Sequence, residues 1–139
     1  VSNIDHGVIV VVDDSWLILE KIRDSLRNVG YEVRITTSPA TASSYCRSAD
    51  LAIVDFHMPQ MNGAAAVRHL RAGLPAGQRC EFYLYTSDRD VAAKYQEHGF
   101  DGAFLRKGDE EALLPQVEAV FRTIKMRKLA AELRRSRRG

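Results

Sequence analysis

The chain has 139 residues, 45% hydrophobic and 27% charged, enough for one domain with one good core and ordinary for a globular fold. No apolar run approaches the roughly 20 residues that cross a bilayer, and no signal-peptide pattern precedes Val8. A membrane-spanning helix is therefore excluded, and a cytoplasmic location is expected. Net charge is +2, but residues 1–121 hold 12 basic and 17 acidic side chains, whereas residues 122–139 hold eight basic and one acidic. An acidic body carries a basic tail.

Apolar runs alternate with helix-like segments along the body. Gly7 to Val12 reads as a strand and Ser15 to Val29 as a helix, with Leu17, Ile18, Ile22, Leu26 and Val29 at helical spacing and Gly30 as the stop. Tyr31 to Thr36 is a second strand. Ser38 caps a second helix that has Pro39 in its first turn and runs to about Arg47. Leu51 to Val54 is the third strand, Phe56 to Asn62 a loop, and Gly63 to Arg71 the third helix, closed by the loop Gly73 to Gly77. Phe82 to Tyr85 is the fourth strand, and Arg89 to His98 a helix ended by Gly99. Gly102 to Leu105 is the fifth strand, and a last helix starts after Asp109, which can cap it. Pro115 removes one backbone hydrogen bond from that helix, so a kink or a later start is expected.

Five strand-then-helix units with right-handed crossovers give an open parallel sheet covered on both faces. Such sheets bind ligands outside the carboxyl ends of their strands. The polar residues that interrupt the pattern fall at those ends: Asp13 and Asp14, Asp55, Thr86 and Ser87, and Lys107. Three acids on one rim repel each other unless a cation sits among them. A hard divalent ion such as Mg²⁺ takes oxygen ligands of this kind together with phosphate oxygens. Cys46 and Cys80 lack paired spacing and read as reduced structural thiols, and the four histidines lack ligand spacing, so no zinc site is expected.

Four fragments, each after its own strand, carry a family likeness: Asp13-Asp14, the run Asp55-Phe56-His57-Met58-Pro59-Gln60-Met61-Asn62-Gly63, Thr86-Ser87, and Phe104-Leu105-Arg106-Lys107. Over about residues 7–121 the sequence resembles the receiver domain of two-component response regulators. The resemblance implies a flavodoxin-like (βα)5 sheet of strand order 2-1-3-4-5, with residues 1–121 as the receiver and 122–139 as a basic extension of the last helix. It implies Asp55 as phosphoacceptor from a histidine kinase. Mg²⁺ or Mn²⁺ would be held by Asp13, Asp14, Asp55 and the backbone carbonyl of His57, with Asp13 acting mainly through a coordinated water. Thr86, Ser87 and Lys107 would bind the phosphoryl group, while Thr86 and Phe104 would form the switch.

His57 and Asp88 occupy the two variable positions that the family uses to set phosphate lifetime, with opposed expected effects. Gly108 stands where the family usually has proline, which implies a looser loop beside Lys107. A signalling switch rather than a conventional enzyme is expected, with a phosphate-independent scaffold as the alternative. The implied partners are a histidine kinase or phosphotransfer protein, an output domain beyond Gly139, and a second copy on the face of helix four, strand five and helix five. Membrane and nucleic-acid partners are not expected. If helical to Leu133, the last helix outruns the sheet at about 37 Å, as a linker or dimer seam; Arg134 to Gly139 is expected to be a solvated, partly disordered end.

Overall fold

A computed structural model describes residues 6–138. β1 (Val8–Val12), β2 (Glu32–Thr36), β3 (Leu51–Val54), β4 (Glu81–Tyr85) and β5 (Gly102–Phe104) form one sheet of order β2-β1-β3-β4-β5. Every pairing is parallel, with Val12 opposite both Thr36 and Val54, and Tyr85 opposite Phe104. This is the expected flavodoxin-like arrangement. The register brings the carboxyl ends of β1, β3, β4 and β5 to one rim.

Continuous apolar strands are what a sheet buried on both faces requires. Ile9 and Val11 point to one side, where they pack with α1 (Trp16–Arg27) and α5 (Glu110–Arg138) through Leu19, Ile22, Leu26, Leu113, Val117, Val120 and Ile124. Val10 and Val12 point to the other, where α2 (Pro39–Cys46) and α3 (Gly63–Ala72) supply Ala42, Cys46, Ala66, Val67 and Leu70. Cys46 and Cys80 are both free and buried in that second layer. Side-chain oxygens cap the helices as the sequence suggests: Ser15 accepts from the Ile18 amide, Ser38 from Thr41 and Asn62 from Ala65.

Three expectations need correction. The fourth helix, read as Arg89 to His98, is only five residues long, α4 (Arg89–Ala93). Beyond it the amides of Lys94, Tyr95, His98 and Gly99 reach back three residues instead of four. No residue of α4 is buried, and only Val91 and Tyr95 lean on the core there, so continuing the helix gains little apolar burial. The last helix begins at Glu110 and passes Pro115 without interruption, so the proline causes no late start. It also runs to Arg138, not into a disordered end; Gly139 and residues 1–5 lie outside the described residues.

At 29 residues α5 is about 43 Å long at the standard rise, and its last buried side chain is Ile124. The exposed remainder is tied to the amino-terminal end of the sheet by Arg127 to Glu81 at 3.1 Å and Lys128 to Asp50 at 2.7 Å. Among the described residues no helix is long and apolar enough to cross a membrane.

Candidate functional site

Asp13 and Asp55 follow directly from β1 and β3, and their backbone amides continue the ladder, Asp13 to the Thr36 carbonyl and Asp55 to the Val12 carbonyl. Strand pairing therefore fixes both carboxylates side by side. Asp13 is almost fully buried; its Oδ1 accepts the Ser15 amide at 2.9 Å and its Oδ2 accepts Lys107 Nζ at 2.7 Å. Asp55 Oδ1 accepts the Phe56 amide at 2.9 Å and lies 2.9 Å from the same Lys107 Nζ. Asp14 is exposed on the rim, and the three carboxylates bring one oxygen each to within 4.8 Å of one another.

Formally, three carboxylates and one ammonium leave this cluster with an excess of two negative charges. Burial raises the Asp13 carboxyl above its usual range, against the opposing pull of the Lys107 hydrogen bond and the Ser15 amide. Burial alone would lower Lys107, yet its hydrogen bonds to Asp13 and Asp55 outweigh that and its pKa is raised. The lysine, only 11% exposed, stays an ammonium. All-oxygen donors with excess negative charge on an open rim are what a hard divalent cation takes.

The α3 N-terminus closes the floor. The Gly63 amide donates to the Phe56 carbonyl at 2.7 Å, and a Cβ added at Gly63 would lie 2.9 Å from both the Asp55 carbonyl oxygen and Phe56 Cα. Only a glycine lets the helix start this close to the strand end that carries Asp55.

Thr86, just past β4, is buried, and its Oγ1 accepts the Asp88 amide at 3.2 Å; Ser87 is exposed. Asp88 caps α4 through Oδ1 to the Val91 amide, and its Oδ2 lies 3.1 Å from His57 Nε2. The Val91 amide first, then His57, holds the Asp88 carboxyl below its usual range. His57 and Asp88 thus meet each other across the loops after β3 and β4, which sequence spacing alone does not reveal.

Phe104 is 2% exposed, stacked on Tyr83 with centroids 4.7 Å apart and edge-on to Tyr85. It already occupies an inward position. Beside it lies a cavity of about 520 Å³ lined by Thr86, Arg89, Phe104, Leu105 and Lys107 among others. The direct Lys107–Asp13 bond is a second feature that sequence reading missed. The loop after β5 carries no signal saying which acid its lysine meets.

A family model described as "Response regulator receiver domain" matches residues 9–118. Among solved structures, the chain is similar to a CheY-like response regulator receiver domain from Methylobacillus flagellatus, at 23% identity and a TM-score of 0.69 over 81% of this chain and 97% of that one. It is similar to the chemotaxis response regulator CheY4 of Vibrio cholerae at 23% identity and a TM-score of 0.68, over 82% and 98%. It is also similar to a probable two-component system response regulator/GGDEF domain protein at 24% identity and a TM-score of 0.73, over 85% of this chain and 50% of that one.

Proposed function

The chain belongs to the response regulator receiver domain family of two-component systems, and from that premise we propose that it is a phosphorylation-dependent signalling switch whose phosphoacceptor is Asp55. The observation that carries this reading is the convergence of Asp13, Asp14 and Asp55 with Lys107 Nζ bridging two of them. An Asp55 carboxylate oxygen attacks the phosphorus of a phosphohistidine donor. A new P–O bond forms, the P–N bond breaks, and the imidazole nitrogen leaves with the electron pair and takes a proton. Attack of water on the same phosphorus later returns the carboxylate and inorganic phosphate. Such transfer is mostly positioning and charge neutralisation.

Asp13, Asp14, Asp55 and the His57 carbonyl would hold Mg²⁺ or Mn²⁺, which when bound supplies positive charge against the phosphoryl oxygens. Lys107 supplies the other positive charge, moving from a carboxylate partner to a phosphoryl oxygen. Thr86 and Ser87 donate to the remaining oxygens. Drawing Thr86 toward the phosphoryl group pulls on the loop that Asp88 anchors and reshapes the cavity against Phe104, which couples modification to the face of α4, β5 and α5. His57 and Asp88, paired over the loop, set the access of water and hence the lifetime of the acyl phosphate.

The donor is a sensor histidine kinase or a phosphotransfer protein, encountered in the cytoplasm. Residues 1–121 act as the receiver, and 122–139 continue α5 as a basic linker. An output domain beyond Gly139 would be the partner for that linker; similarity to half the chain of a probable two-component system response regulator/GGDEF domain protein supports that reading. A second copy would meet the α4, β5 and α5 face. The reading is tested by treating the protein with acetyl phosphate and Mg²⁺ and reducing it with borohydride, which converts an aspartyl phosphate to homoserine. Peptide mass spectrometry should place homoserine at position 55; homoserine at 13 or 14 instead would contradict it.

A further inference from the structure

Tyr85, the last residue of β4, is 2% exposed, and its hydroxyl touches the loop after β5 on both sides of Lys107. The Gly108 amide donates to Tyr85 Oη at 3.3 Å, and Tyr85 Oη donates to the Arg106 carbonyl at 3.5 Å. The Lys107 ammonium itself sits 5.9 Å from the centroid of the Tyr85 ring. Burial raises the phenol pKa, with the Gly108 amide pulling the other way.

The bracketed loop needs holding. Arg106 has φ +64, alone among described non-glycine residues in adopting a positive value, and Gly108 has φ +99. Two left-handed residues therefore flank Lys107, and nothing lies within 4 Å of where a Gly108 Cβ would be, so side-chain packing does not fix that turn. Both hydroxyl contacts are long, so their effect falls on loop geometry more than on global stability.

We propose that Tyr85 is a positioning residue for Lys107: its buried hydroxyl clamps the backbone on either side of the lysine and so aims Nζ at the phosphoryl site. This rests on the role given to Lys107 above. It also explains how glycine at 108 can serve beside Lys107. The Asp109 amide closes the turn from within on the Arg106 carbonyl at 3.0 Å, and Tyr85 adds a second hold from the neighbouring strand that includes the Gly108 amide.

The experiment compares wild type with Tyr85→Phe, which deletes only the hydroxyl. Three readouts are needed: Gly108 amide hydrogen exchange, the rate at which acetic anhydride acylates Lys107, and the rate of phosphorylation by acetyl phosphate with Mg²⁺. In Y85F, Gly108 exchange and Lys107 acylation should each rise by about threefold, the effect of losing one long hydrogen bond. Phosphorylation should slow by about tenfold through misplacement of the lysine, with Mg²⁺ affinity by calorimetry unchanged. Gly108→Ala, which meets open space but penalises the left-handed turn, should act on the same loop, so adding Y85F to it should bring no further slowing.

Wild-type exchange at Gly108 in Y85F would overturn the clamp. Faster exchange with an unchanged Lys107 acylation rate would overturn the positioning role. A wild type that takes no phosphoryl group, while Y85F still loosens Gly108 and Lys107, would leave the clamp standing and remove the proposed function instead.

Discussion

Lys107 decides the electrostatics of the site at the level of single residues. Its folded pKa is raised, so the stability it contributes is full below its ordinary value of 10.5 and is lost as pH climbs through the raised one. The Asp13 carboxyl is also raised, so the folded state holds its proton longer than the unfolded chain does, and stability falls as pH rises from 3.8 through its folded value. Both groups thus favour the folded state at the lower pH of their own window. Replacing Lys107 by Met leaves Asp13 and Asp55 facing each other with no cation. Urea denaturation at neutral pH without metal should show a loss of about 3 kcal/mol, as for breaking a buried ion pair. The wild-type advantage over K107M should shrink above pH 10.5, the ordinary value for the lysine; an advantage that grew there would show the sign to be wrong. Asp13, Asp14 and Asp55 were legible in the sequence because acids that stop a buried strand have few places to go, whereas Lys107, three residues past β5, came with the family likeness. The His57–Asp88 pair was not legible, since it joins two loops 31 residues apart and neither loop has a period to read.

Among the elements, α3 is the one built tightest against the chemistry. Gly63→Ala forces its start away from the Asp55 carbonyl and Phe56, which should cost about 2 kcal/mol as an overpacked contact. It should also slow phosphorylation while leaving the far end of the sheet unchanged; amide chemical shifts confined to residues near 55–66 would confirm that locality. Boundaries that caps and glycines mark, such as Ser15, Ser38 and Asn62, were readable because the side chain that ends an element is itself in the sequence. α4 was overread at ten residues. Its Gly99 stop is real, with φ +92, but nothing buried holds residues 94–98 in an α-helix. α5 was underread because charge in Arg134 to Arg138 suggested a solvated end, whereas straight-chain basic residues are good helix formers and continue a helix already nucleated.

Taken whole, the molecule places its acidic site and its basic extension at opposite ends of the sheet. The pairs Arg127–Glu81 and Lys128–Asp50 join that extension to the body near the starts of β3 and β4. Such partly exposed pairs are worth about 1 kcal/mol or less each, and the apolar core ends at Ile124. A chain ending at Ile124 should therefore lose helical far-ultraviolet signal only in proportion to the helical residues removed after Ile124, and only a few degrees in thermal midpoint; complete unfolding would show that α5 beyond the core is part of the fold. The alternation of five apolar runs with five helical patterns made the layered sheet legible. Strand order did not follow from periodicity, which says nothing of neighbours, and came with the family likeness. The central claim is chemical: a crowded set of carboxylates, with a dication and Lys107, makes Asp55 a phosphoacceptor. Intact mass spectrometry after acetyl phosphate treatment tests it most directly. One phosphoryl group per chain is predicted with Mg²⁺, with none when the metal is chelated and none in Asp55→Asn; an unmodified wild type at saturating Mg²⁺, or equal labelling of Asp55→Asn, would contradict the account.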